Sequence, residues 1–147
     1  MFVNPALQKP KNFCGENVEW IYDKIELKLK ISGTGPMYDY SSQRPPPWFQ
    51  KMSIAETLRT VEISTGVTTI GSYSFSSCLD LESVSFSLNI TQIGENAFSN
   101  CPSLKIIKTS SSNKNYKTLD NVLYSKDGES LIFYPPNRKG RSFEIPP

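Results

Sequence analysis

The stretch Ile70–Cys78 reads IGSYSFSSC, and 23 residues later Ile93–Cys101 reads IGENAFSNC. Ile, Gly, Phe and Cys return at the same spacing, so either a catalytic motif or a packing unit is being repeated. Laying residues 58–80 over 81–103 decides between them. Leu58 falls on Leu81 and then Leu104, and Val61 on Val84 and then Ile107. Ile63 falls on Phe86, Val67 on Ile90, Thr68 on Thr91, Ile70 on Ile93, Gly71 on Gly94, Phe75 on Phe98 and Cys78 on Cys101. Almost every matched position is apolar or glycine, while the positions between them drift. Repeated catalysis would hold polar residues fixed; repeated packing holds apolar ones.

Each unit divides into three pieces. Alternation in TVEI and SVSF predicts a short strand with Val and Ile or Phe on its inner face. VTTI and ITQI predict a second extended piece with inward residues at both ends. SYSFSSC and ENAFSNC predict a single helical turn that carries Phe and Cys inward. Gly71 and Gly94 fall where the chain must bend or approach its neighbour closely. Gly66 and Asn89 occupy equivalent places and predict a corner of positive φ. A 23-residue unit cannot bury its own apolar face, whereas stacked units can, at roughly 4.8 Å per strand step. The reading is a solenoid.

These residues resemble the BspA-type leucine-rich repeat, whose units run roughly L-x-x-V-x-I-P-x-x-V-T-x-I-G-x-x-A-F-x-x-C. The likeness is strongest over 58–107, with Ser64 and Ser87 standing where the family usually has proline. The flanks are similar too, from CGENVEW at Cys14 to NVLYSKDGESLIFYPP and the closing SFEIP. The resemblance implies an α/β leucine-rich-repeat solenoid, strand-dominated, with short helical turns and an N-terminal β-hairpin cap. It further implies a non-enzymatic protein of microbial or protist surfaces, acting in adhesion or partner binding, with a protein or cell-surface ligand and no cofactor.

The ends are legible by themselves. Val18, Trp20 and Tyr22 share one face, Leu27, Leu29 and Ile31 another, with Glu26, Lys28 and Lys30 opposite. Two strands joined near Asp23-Lys24 make an amphipathic hairpin, placed to cover the first unit. The following SGTGPMYDYSSQRPPPWF is expected to be irregular, with Pro45 to Pro47 excluding helix. Val122–Tyr124 lead into Asp127-Gly128, a hairpin turn, and return through Leu131–Phe133. Phe143 and Ile145 renew the strand spacing, Ile145 following Thr109 by one period plus a 13-residue insertion. The expected organisation is a tail over 1–13, a hairpin cap and connection over 14–57, repeats over 58–110, and an inserted hairpin with the start of a further repeat over 111–147. Ending mid-unit would leave a face for further repeats or for self-association, the alternative structural role.

Composition narrows the function classes. The net charge of +2 argues against nucleic acid, and the short basic NRKGR at 137–141 reads as a solvated turn. No window reaches the roughly 18 apolar residues of a membrane span. The N-terminus shows no basic-then-apolar signal pattern. Histidine is absent, which removes His-based triads, His-ligated metal and His switches. The three cysteines, Cys14, Cys78 and Cys101, do not form a disulfide framework; Cys78 and Cys101 read as small buried hydrophobes on adjacent units. Asp39, Asp80, Asp120 and Asp127 fall in turns without a matched couple for glycosidase chemistry. Asn89-Ile90-Thr91 is a glycosylation sequon. The remaining candidate is a surface. Thr60, Glu62, Ser64, Ser83, Ser85, Ser87, Ile106, Lys108 and Ser110 flank the inward residues and should stack into a hydroxyl-rich outward ladder.

Overall fold

A computed structural model of the chain describes residues 12–50 and 52–138. Phe143, Ile145, the end of the NRKGR turn and nearly all of the 1–13 tail lie outside the described residues. Short strands and turns dominate. β1 (Phe13–Gly15), β2 (Val18–Asp23) and β3 (Lys28–Gly33) form an antiparallel group, followed by β4 (Gly35–Pro36) and two short helices, α1 (Pro47–Gln50) and α2 (Met52–Thr57). The repeats supply β5 (Thr60–Ile63), β6 (Val67–Ile70), β7 (Ser83–Phe86), β8 (Gln92–Ile93) and β9 (Ile106–Thr109). β10 (Tyr116–Leu119), β11 (Val122–Ser125) and β12 (Leu131–Phe133) complete the described chain.

The 23-residue period becomes a register. β5, β7 and β9 pair in parallel with Thr60 opposite Ser83 opposite Ile106, and Val61 opposite Val84 opposite Ile107. β3 joins the same ladder, Leu29 opposite Val61 and Ile31 opposite Ile63, so one six-stranded sheet runs β1-β2-β3-β5-β7-β9. A second ladder, β4-β6-β8, stacks in the same direction. Leu58, Leu81 and Leu104, and Val61, Val84 and Ile107, are all fully buried. Parallel strands need this covered interior, because each unit contributes one face and its neighbours supply the rest.

The third segment of each unit corrects the expected helical turn. Residues 72–77 and 95–100 are successive turns, closed by i+3 bonds such as Ser76 N–H to the Tyr73 carbonyl and Cys78 N–H to the Phe75 carbonyl. Positive φ occurs at Tyr73 and Ser77 and again at Asn96 and Asn100, one period later. Every second N–H of the first of these turns points sideways. Tyr73, Phe75 and Ser77 donate to the carbonyls of Glu95, Ala97 and Ser99 in the next unit, at 3.1, 2.9 and 2.8 Å.

Two other expectations need correction. Gly66 and Asn89 do not have positive φ. Gly66 is required by close approach instead, since a Cβ there would strike the Gly33 carbonyl, and Asn89 donates its side-chain amide to the Thr65 carbonyl at 2.7 Å. Gly71 and Gly94 meet the stated need, their missing Cβ atoms leaving room for the Tyr38 carbonyl and the Ser72 backbone. Proline did not exclude helix either: Pro47 opens α1, because the first helical position needs no N–H and already wants φ near −65°. The inserted hairpin carries a strand that the sequence reading missed, β10, joined to β11 through Asp120 and Asn121, both at positive φ.

The core is one cluster with an aromatic column through it. Phe75 and Phe98 stack at 5.9 Å with their planes 8° apart. Trp48, from α1, extends the column on one side at 5.4 Å from Phe75, and Phe133, from β12, ends it at 5.5 Å from Phe98. Trp48 Nε1–H is anchored on the Ser74 carbonyl at 2.8 Å, so the indole is fixed in orientation.

Candidate binding face

The outward rows of the six-stranded sheet bring the predicted residues into line. One row runs Ile21, Lys30, Glu62, Ser85, Lys108 across five strands, and the next runs Asp23, Lys28, Thr60, Ser83, Ile106. The face therefore continues beyond the repeats onto β2 and β3. The alternation that set Lys28 and Lys30 opposite the inward Leu29 and Ile31 already carried the signal for this. Lacking was the parallel pairing of β3 with β5, which joins the two patterns into one surface.

Charge on this face is partly spent. Lys28 Nζ lies 3.0 Å from Glu62 Oε2 and 3.5 Å from Glu26 Oε2. The Glu62 hydrogen bond, then its charge, hold the Lys28 ammonium above the ordinary lysine range. Lys30 and Lys108 are exposed and have no carboxylate partner among the described residues. Three strand steps separate them, roughly 14 Å at the usual spacing. Ser64, Ser87 and Ser110 lie beyond the strand ends; Ser64 is exposed, while the other two are less available than their spacing suggested. The Ser87 hydroxyl is buried with no hydrogen-bond partner, and Ser110 Oγ accepts from the Ser112 N–H at 3.1 Å within its own turn.

Polar pairs at the repeat spacing were invisible to an apolar alignment. Asn96 donates to Tyr73 Oη at 3.0 Å, Asn100 to Ser77 Oγ at 3.0 Å, and Ser76 and Ser99 share a hydrogen bond of 2.8 Å. Lys105 sits 3.3 Å from Glu82. Each joins residues one period apart, so the drifting positions are complementary rather than conserved in type. Asn113 is the clearest residue the sequence reading missed. It stands one period after Ile90, fully buried, and donates to the Ser87 and Ile90 carbonyls at 3.0 and 3.1 Å. Its Oδ1 accepts from the Asn115 and Tyr116 N–H groups at 2.8 and 2.9 Å. Tyr116, one period after Ile93, accepts the Ile93 N–H at 3.1 Å. Side chains thus finish the ladder that β8 leaves open.

Cys14, Cys78 and Cys101 are free and buried. Burial pushes the Cys14 thiol up to about 12 and the Cys101 thiol to about 11, and it raises Cys78 further. Such thiols pack and do not react. Asp39 accepts the Ser72 N–H at 2.8 Å, a structural use of that carboxylate. Asn89 is exposed, its amide engaged with Thr65. Among the described residues no three Cys, Asp or Glu side chains gather as metal ligands, and no helix is long and apolar enough to cross a membrane.

The family model for the BspA type leucine rich repeat region matches residues 50–133 in six copies. The chain belongs to the BspA-type leucine-rich repeat family. Among solved structures, a leucine-rich repeat protein from Eubacterium ventriosum matches with 22% identity and a TM-score of 0.54, over 90% of this chain and 52% of that one. The chain thus spans about half the length of that protein. The pneumococcal vaccine antigen PcpA matches with 24% identity and a TM-score of 0.49, over 60% of this chain and 28% of that one. A leucine rich cell surface protein from Faecalibacterium prausnitzii matches with 17% identity and a TM-score of 0.47, over 95% of this chain and 65% of that one. No curated protein matches. The E. ventriosum likeness supports the strand-dominated repeat fold.

Proposed function

We propose that the chain is a non-enzymatic interaction module, a short solenoid of BspA-type repeats capped by the β2-β3 hairpin, binding a protein or cell-surface ligand through its outward strand face. The observation that carries this reading is the row Lys30, Glu62, Ser85, Lys108, held in register by a parallel ladder with a buried interior. A rigid sheet places two unpaired ammonium groups a fixed distance apart, which suits a partner carrying carboxylates at matching separation. The cap reading rests on Leu29 and Ile31, fully buried against Val61 and Ile63 at the head of the ladder. The domain scheme follows: cap and connection over 14–57, repeats from 58 onward, and the inserted hairpin from 111. A surface location accords with the family.

The test is binding of the chain to a panel of purified surface and extracellular-matrix proteins. Exchanging Lys30 and Lys108 for Ala should weaken capture by roughly tenfold, with stronger binding at low salt than at high salt. Equal capture by the double variant removes the strand face from the function.

A further inference from the structure

The outward row of the six-stranded sheet carries its groups in an order that selects what can lie across it. From β9 back to β2 the order is Lys108, Ser85, Glu62, Lys30 and Ile21, one residue per strand. Their chain neighbours Ile107, Val84, Val61 and Leu29 are fully buried, so the row stands on the outer face. Lys108 and Lys30 are exposed and have no carboxylate partner among the described residues. Glu62 keeps 44% of its side chain in solvent although Lys28 Nζ lies 3.0 Å away. Ile21 is 63% exposed, an apolar side chain at the end of a polar row. At the usual strand spacing Ser85, Glu62, Lys30 and Ile21 stand about 5, 10, 14 and 19 Å from Lys108.

We infer that this row binds an extended segment of a partner protein that crosses the strands, with carboxylates four residues apart and an apolar side chain two residues further on. The inference rests on the strand-face reading above and gives its ligand a sequence pattern. An extended chain rises about 3.3–3.4 Å per residue and turns alternate side chains to one side, so residues i, i+2, i+4 and i+6 fall at about 0, 7, 13 and 20 Å. Carboxylates at i and i+4 then meet Lys108 and Lys30, and an apolar residue at i+6 meets Ile21. Residue i+2 falls between Ser85 and Glu62, where a hydroxyl can donate to the Glu62 carboxylate. A third carboxylate at that place would be repelled by Glu62. A uniformly charged polyanion is disfavoured for the same reason, because Glu62 interrupts the lysines. A helix matches less well, since its nearest same-face positions, i+7 and i+11, recur at about 10.5 and 16.5 Å, on either side of the lysine separation. A second copy is also a poor match. Turned about a two-fold axis through the middle of the row, it would set Glu62 against Glu62 and Lys108 against Ile21.

The experiment titrates the isotope-labelled full chain with two acetylated and amidated peptides of identical composition, ETSTETL and ETETSTL, and follows the backbone amide shifts. ETSTETL should bind saturably at low salt with a dissociation constant of about 1 mM or tighter, and ETETSTL about tenfold more weakly. Lys30→Ala and Lys108→Ala should each weaken ETSTETL by about fivefold, and Ile21→Ser by about threefold, with unfolding midpoints unchanged. Glu62→Gln should bring the two peptides to within about threefold of each other, a change in preference that loss of fold does not produce. Absence of saturable shifts, or equal affinity for the two peptides, overturns the inference. If the Lys30 and Lys108 double variant nevertheless loses capture of surface proteins, the strand-face reading outlives that result. Capture that persists in the double variant ends the reading and the inference together. Heparin displacing ETSTETL at equal concentration would assign the row to polyanions. Sedimentation that rises with concentration and is abolished by Lys30→Ala would assign it to a second copy, and either result overturns the inference.

Discussion

Truncating Phe75 to Ala is the sharpest test of the packed column. The ring is fully buried between Trp48 at 5.4 Å and Phe98 at 5.9 Å, nearly parallel to both. Loss of transfer free energy alone costs about 2–3 kcal/mol. Collapse would lower the cavity cost, but both neighbours are held. Trp48 is tethered through Nε1–H to the Ser74 carbonyl, and Phe98 is backed by Phe133. The cost should therefore lie near the upper part of the usual range, about 4 kcal/mol, out of a total stability of roughly 5–15 kcal/mol. Urea denaturation followed by tryptophan fluorescence measures it, because Trp48 reports on the same site. Combining Phe75→Ala with Phe98→Ala should show a coupling of at least about 0.5 kcal/mol, as expected of residues in contact. A loss under about 1.5 kcal/mol, or strict additivity of the two, would refute the column as the main support of the repeats.

Asn113→Ala should cost about 2–4 kcal/mol by the same assay, since it leaves two buried carbonyls and two N–H groups without their partner. A cost below about 1 kcal/mol would show that water replaces it freely. Gly66→Ala should destabilise by about 1–3 kcal/mol, because the new methyl meets the Gly33 backbone carbonyl, whereas Ser64→Ala nearby should be almost silent. The buried thiols predict an alkaline loss of stability. Their folded pKa values lie above the unfolded value of about 8.5, so the contribution is complete below that pH and falls away as pH rises toward 11 and 12. Chemical denaturation at pH 8 and pH 10, with Cys14→Ala as control, checks the slope; a flat profile contradicts it. The opposite sign holds for Asp127, whose carboxyl is kept below the usual range by Ser125 Oγ–H and then the Glu129 N–H. Its titration by NMR should fall below about 3.9, and its contribution should be lost only as pH drops through that lowered value.

Sequence alone determined whatever depends on nearest-neighbour stacking. A fixed period of 23 puts Leu58 beside Leu81 and Phe75 beside Phe98, and the observed register follows that arithmetic from Thr60 to Ile106. The outward ladder was legible for the same reason, because alternation along a strand decides its two faces. Tertiary structure alone decided what closes the stack. Trp48 and Phe133 have no repeat partners in sequence, yet they complete the aromatic column. Asn113 and Tyr116 look like ordinary loop residues until the ladder they finish is built. The turns at Tyr73 and Asn96 read as helical from composition, but alternate N–H groups of the first point sideways into the neighbouring unit. These turns therefore meet a neighbour through their backbone. That pairing explains the stacking between units. Periodicity is written locally and can be read locally. The partners of unrepeated residues depend on where the chain returns in space, which no local pattern encodes.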